Sequence, residues 1–214
     1  MGIQLNLQRF RFVIGFFFLC IGWVHTQEIP PIQNFTTNEY QAENQNWSIS
    51  QGSDKYIYVA NNAGLLEFNG ANWNLYPSPN DTFFRAVSVI DDKIYTGSFR
   101  EFGYWDRNEI GTLIYTSLIP QLKESLHEDE HIWNIASFDK WILFQSLHRI
   151  YVYNTVDSTF NVIKSTTQLP KVFIVDTGIY FQKMDQGLFR IENGMPSLVS
   201  DDSVVRNNTI VNMF

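Results

Sequence analysis

One cysteine in 214 residues, Cys20, leaves no partner for a disulfide and no Cys-based metal spacing. Basic residues are outnumbered, 15 Lys and Arg against 22 Asp and Glu, and nothing gathers them into a stripe. A nucleic acid backbone therefore meets an acidic surface, and direct contact with DNA or RNA is excluded as a function of this segment. There is no G-x-S-x-G nucleophile elbow and no phosphate loop, and nothing in the pattern calls for a cofactor. Long apolar runs are missing too, except for one at the N-terminus.

That run, Phe12 to Val24, follows Arg9 and Arg11 and precedes the short side chains of Val24 to Gln27, which together form the signature of a secretory signal peptide over residues 1–26. Its thirteen residues make a helix of roughly 20 Å against a hydrocarbon core of ~30 Å, so an uncleaved anchor is the weaker alternative. Leu19 before Cys20 argues against a lipoprotein, whose lipid-attachment site wants a small residue there. Loss of the two arginines with the leader shifts the formal charge from -7 to -9.

What is present in abundance is β-forming and aromatic residues in a repeat. Four short segments, Tyr56–Ala60, Lys93–Gly97, Trp141–Gln145 and Gly178–Gln182, superimpose on Ile57, Ile94, Ile142 and Ile179, at steps of 37, 48 and 37 residues. Each is preceded by a strand candidate (47–49, 84–90, 132–135, 172–175) and followed by two more (65–68, 102–105, 150–153, 188–191; then 73–76, 113–115, 160–163, 197–199). Turn chemistry punctuates the series: Asn69-Gly70 and Asn193-Gly194 fall between third and fourth strands, and Asp91-Asp92, Asp139-Lys140 and Thr177-Gly178 between first and second. Four antiparallel strands recurring at about 40 residues define the blade of a β-propeller. A β-sandwich is the alternative, but it does not require one strand order to recur four times.

The expected architecture is thus all-β: blades at 40–78, 82–118, 131–166 and 171–201 within a sensor domain spanning 27–214, with an inter-blade insertion at 119–131. Residues 208–214 read as the start of a fifth blade, which makes the chain an incomplete propeller.

Within the insertion, His127-Glu128-Asp129-Glu130-His131 satisfies H-E-x-x-H, which on a helix would set His127 and His131 on zinc with Glu128 activating water. No third ligand is evident and acids fill the middle positions, so the stretch reads as a solvated acidic loop, and no metal site or catalytic residue is assigned. Phe99, Phe102, Tyr104 and Trp105 read as inter-blade core. In a propeller, the loops joining strand two to strand three share a face with the blade-to-blade connections, and polar side chains on such loops are where ligands bind. Asn62, Arg100, Glu101, His148 and Asp185 are the expected ligand-facing residues.

Several runs, Ile32–Phe35, Tyr40–Ile49, Ala60–Gly70, Glu101–Trp105, Ile132–Ile135, Phe144–Ser146, Ile150–Tyr153 and Gly187–Phe189, resemble the sensor region of two-component-regulator-propeller proteins of Gram-negative bacteria. The resemblance implies an exported propeller at the periplasmic face of the inner membrane, perceiving an extracellular small molecule or oligosaccharide. Further blades, a triple-tyrosine β-sandwich, one membrane helix and a LuxR-type helix-turn-helix or histidine kinase output would belong to the parent protein, and none of these is present here. Two other functions remain open at this point: a propeller-type polysaccharide lyase or hydrolase, and a structural or adhesive propeller without signalling.

Overall fold

The four isoleucines that align the repeat sit near the start of the second strand of four separate sheets. A computed structural model describes residues 31–213, so the signal peptide expected at 1–26 lies outside the described residues. The strands are β1 (Asn46–Gln51), β2 (Ile57–Asn61), β3 (Gly64–Phe68) and β4 (Trp73–Tyr76), then β5 (Ala86–Ile90), β6 (Lys93–Gly97), β7 (Phe102–Arg107) and β8 (Leu113–Ser117). They continue with β9 (Asn134–Phe138), β10 (Trp141–Gln145), β11 (Arg149–Asn154) and β12 (Thr159–Lys164), and end with β13 (Phe173–Val175), β14 (Gly178–Lys183), β15 (Gly187–Glu192) and β16 (Met195–Ser200). Each consecutive quartet is one antiparallel sheet in sequence order, and each is a propeller blade. The helices are short: α1 (Thr37–Tyr40), α2 (Ser203–Asn207) and a 3-10 turn at Ile119–Gln121. Among the described residues no helix is long and apolar enough to cross a membrane.

Burial explains why the second strands read as nearly continuous apolar runs. In β2, β6 and β10 every residue after the first is buried, because a blade between two neighbours is covered on both faces. Three inter-blade cores result. Tyr58, Leu65, Phe84, Ile94 and Trp105 join blades one and two; Tyr95, Phe102, Ile132, Phe144 and Tyr151 join two and three; Leu143, Ile150, Val152, Ile179 and Phe181 join three and four. Phe102 and Trp105 are core as expected. The first strands neighbour one another, with Ser50 Oγ accepting from Val89 N at 2.9 Å and tying β1 to β5. On its other face, blade one is covered by the segment that carries α1, through Phe35 and Tyr40 against Val59, Leu66 and Trp73.

Two differences from the expected strands share one cause. Pairing starts at Ala86 and Asn134 rather than at Phe84 and Ile132, because those two side chains drop into the cores and their backbone N–H groups bond back to the previous blade, at Asn61 O and Ser98 O. The turns also shift. Val175 pairs with Gly178, so the fourth blade turns at Asp176-Thr177 instead of Thr177-Gly178. Asp91, Asp139 and Asp176 then occupy equivalent sites, each left-handed at φ 53°, 51° and 49°, a conformation Asp tolerates. Asn193-Gly194 is a two-residue turn with both φ positive. Asn69-Gly70 opens a four-residue loop in which Asn69 Oδ1 accepts from the N–H groups of Ala71 and Asn72.

Gly64 and Gly187 open the third strands of blades one and four at φ 146° and 127°; a Cβ there would lie 2.2 Å from Tyr76 O and 2.1 Å from Ser200 O. Only glycine lets the fourth strand end that close. The insertion is anchored, not free: Leu118 is fully buried, and Leu122 and Leu126 pack on the core between blades two and three. Residues 208–213, expected to begin a fifth blade, form no strand here. They are nonetheless held by a glutamine in the way the entry to blade four is. Gln145 Oε1 accepts from Val172 N while its Nε2 donates to Leu169 O and Pro170 O; Gln182 Oε1 accepts from Ile210 N at 2.8 Å while its Nε2 donates to Val205 O and Asn208 O.

Candidate functional site

Antiparallel order places the start of each first strand beside the end of the second, on the face that carries the β2–β3, β6–β7, β10–β11 and β14–β15 loops. Three residues meet at that end of the inner strands. Trp47 sits in a β-bulge between Asn46 and Ser48, a device that re-aims a side chain. Arg85 and Trp133 immediately precede β5 and β9, held by Arg85 N to Gly97 O and Trp133 N to Gln145 O. The Arg85 guanidinium carbon lies 4.4 Å from the Trp47 ring centre, 4.1 Å from Trp133 and 4.4 Å from Phe83. His131 completes the group, its Nδ1 accepting from Arg85 Nε at 3.4 Å with its ring against Phe99 and Trp133.

This aromatic cage holds a cation. Stacked over faces of negative quadrupole, each contact contributes about 0.5–1 kcal/mol, more where water is excluded. Burial lowers the Arg85 pKa from its ordinary value. Burial also lowers that of His131, followed by the charge of Arg85, with Asp129 opposing; a neutral imidazole is what the Arg85 hydrogen bond requires.

Beside the cage a shallow cleft of about 100 Å³ is lined by His127, Asp129, His131, Trp133 and His148, among others. A second, of about 270 Å³, shares His127 and His148 and continues to Arg149, Lys164 and Gln186. The H-E-x-x-H stretch that lines the first is a turn, not a helix: Glu130 N donates to His127 O, and His127 N donates to Glu130 Oε2. It is also less solvated than its composition suggests. Glu130 is buried and lies 3.8 Å from Arg149 Nη1, which donates to Tyr151 OH and Ser125 O.

The five expected ligand residues are dispersed over this face. Asn62 supports the cage, its Oδ1 accepting from Trp47 Nε1 at 2.8 Å. His148 is exposed and borders both clefts. Arg100 is left-handed at φ 54°, its N–H bonded to Glu130 O and its side chain exposed. Glu101 is engaged internally, accepting from Tyr115 OH at 3.0 Å and Ser117 Oγ at 2.7 Å; burial, and after it the Glu101 carboxylate, drives the Tyr115 pKa upward. Asp185 is exposed on the β14–β15 loop, its N–H bonded to Arg206 O. Sequence reasoning missed Trp47, Phe83, Arg85 and Trp133. The one signal available was position, since each lies at or just before the start of a first strand.

Four-stranded blades packed through their faces, with polar loops and an aromatic-caged arginine at one end, define a β-propeller segment with a candidate binding mouth. No protein-family profile and no curated protein matches the chain. Among solved structures, the extracellular domain of BT4673 from B. thetaiotaomicron, described both as a one-component and as a hybrid two-component system, matches with a TM-score of 0.52 at 18% identity over 74% of this chain. A protein of unknown function from Bacteroides caccae matches with a TM-score of 0.50 at 10% identity, over 71% of this chain and 59% of its own. At such identities the likeness is one of fold. The chain spans 22% of the BT4673 domain.

Proposed function

We propose that this chain is a ligand-sensing propeller segment of an exported, membrane-linked signalling regulator, and that the ligand binds on the loop face at the Trp47–Arg85–Trp133 mouth. The carrying observation is the mouth itself: two tryptophans and an arginine from three blades converge where the loops meet, on a scaffold tied blade to blade by hydrogen bonds and buried cores. Ligand sites favour concave, partly apolar surfaces with a few placed polar groups. Support for a sensing role comes from the similarity in fold to the extracellular domain of a signalling system. The leader-like residues 1–26 support export across an inner membrane. Transcriptional or kinase output would belong to other parts of the protein.

Within this reading Asn62 orients Trp47, His148 borders the entrance, and Arg100 and Asp185 present charge at its rim. Glu101 acts in support, through Tyr115 and Ser117. The test is tryptophan fluorescence of the purified chain titrated with a panel of neutral and acidic oligosaccharides and monosaccharides. A saturable change that disappears in Trp47→Ala/Trp133→Ala is the expected result. No response to any member of the panel, or an equal response in the double variant, refutes the mouth as the site.

A further inference from the structure

Four arginines are partly or wholly buried among the described residues, and two of them face a buried carboxylate. Arg107 pairs with Glu67, and Arg149 lies beside Glu130. Arg190 lies 3.8 Å from Glu192, and Arg85 alone of the four has no carboxylate within 4.0 Å among the described residues. This is unusual in a chain of net charge -7, where acids are plentiful.

How Arg85 is held shows which of its atoms remain available. Three rings surround the guanidinium, whose carbon lies over each of them, and His131 takes the Nε–H. Nη1 and Nη2 have no hydrogen-bond partner among the described residues, and they are not among the buried, orphaned nitrogens, which are Trp73 Nε1 and Arg190 Nε. Their N–H groups therefore reach solvent on a cation held in place by the surrounding rings. A guanidinium held among rings with both Nη groups open can grip a carboxylate through two parallel hydrogen bonds, and its pre-set position reduces the entropy lost on binding. Trp47 and Trp133, 38% and 39% exposed, leave indole surface beside those Nη groups for the body of a ligand. The acids nearby do not cancel the charge: Glu130 is engaged by Arg149, and Asp129 is exposed and screened by water and salt.

We infer that the mouth recognises a carboxylate-bearing small molecule, its two oxygens on Arg85 Nη1 and Nη2 and its body against Trp47 and Trp133. This rests on the mouth being the ligand site and adds the chemical class of the ligand. A sugar acid and an aromatic acid share that chemistry, so the test carries both.

The full chain is titrated, with tryptophan fluorescence as readout, against glucuronate and benzoate and against their uncharged counterparts, glucose and benzyl alcohol. At least one acid should bind about tenfold or more tighter than its counterpart, as charged hydrogen bonds of this kind imply. Arg85→Met keeps a long side chain among the rings and should erase that margin, so that in the variant neither acid binds tighter than its own neutral counterpart. Arg85→Lys, charged but unable to form the two-pronged contact, should retain only part of it, and thermal melts of both variants report whether the fold persists. Acids no tighter than their neutral counterparts, or a glucuronate and benzoate response unaltered by Arg85→Met in a folded protein, overturn the inference. A strong glucose response without preference for glucuronate does so while leaving the mouth as a ligand site; silence from all four probes counts against both.

Discussion

Arg107 offers the sharpest test of how the blades are held together. It is the last residue of β7 in blade two, and it reaches into blade one, where Nη2 donates to Tyr58 OH at 2.9 Å and to Glu67 Oε2. Glu67 is 2% exposed and stands in register between Tyr58 and Asn74, whose Nδ2 donates to its other oxygen at 3.1 Å. Arg107→Met removes the cation and leaves a buried carboxylate with Asn74 as its remaining donor. Breaking a buried pair costs about 3–5 kcal/mol, and since a third of the Arg107 side chain is in water, the lower end, about 3 kcal/mol, is expected. For a chain of this size that is a fall in Tm of about 6–12 °C. Glu67→Leu leaves an arginine that water still reaches and should cost less, about 1 kcal/mol. Arg107→Met/Glu67→Leu removes both charges together and should recover most of the loss. Urea unfolding of all four proteins measures the cycle, with the midpoint moving at constant slope. A single Arg107→Met cost under about 1 kcal/mol, or strictly additive costs in the double variant, would refute the buried-charge account.

Phe144→Ala should cost about 3–5 kcal/mol, because the ring is fully buried and stacked on Phe102 at 4.5 Å in the core between blades two and three, whereas Val156→Ala on the exposed β11–β12 turn should stay within about 0.5 kcal/mol; urea midpoints compare them, and equal costs would mean that core does not bear load. Burial pushes the Tyr58 hydroxyl up to about 12, against the pull of Arg107, and raises Tyr95 and Tyr151 as well. Unfolded tyrosine ionises near ~10, so this stabilisation is complete below about pH 10 and is lost as pH rises through the higher folded values. Phenolate absorbance and circular dichroism followed together should show the buried tyrosines ionising only as the sheets melt; ionisation near pH 10 with sheets intact contradicts that burial.

The repeat was legible because a blade imposes the same demands each time. A second strand covered on both faces must be apolar throughout, and that requirement is written in Ile57, Ile94, Ile142 and Ile179 and the residues after them. Glycines at 64 and 187 answer a local clash that recurs with the repeat, so they align too. Strand starts were harder to read, since Phe84 and Ile132 have the composition of strand residues but serve as plugs between blades. Both Asn-Gly pairs mark the turn from third to fourth strand, but the Asn69 side chain closes a longer loop whose length the dipeptide alone does not reveal.

The mouth was illegible for the opposite reason. Trp47, Arg85 and Trp133 lie 38 and 48 residues apart, close to the steps of the repeat, but the residue type changes from blade to blade, so the spacing alone does not reveal that they meet, and Trp47 also depends on a bulge that shifts its register. Loop polarity pointed to the face that carries the mouth yet selected Glu101, whose carboxylate is committed to Tyr115 and Ser117. A polar residue on a loop is available to a ligand only if the fold has not already used it. Arg85 passes that criterion where Glu101 does not, for rings and His131 hold it while its Nη groups have no partner among the described residues. In a repeat protein the sequence signal belongs to what every blade shares, and binding chemistry falls where one blade departs from the next.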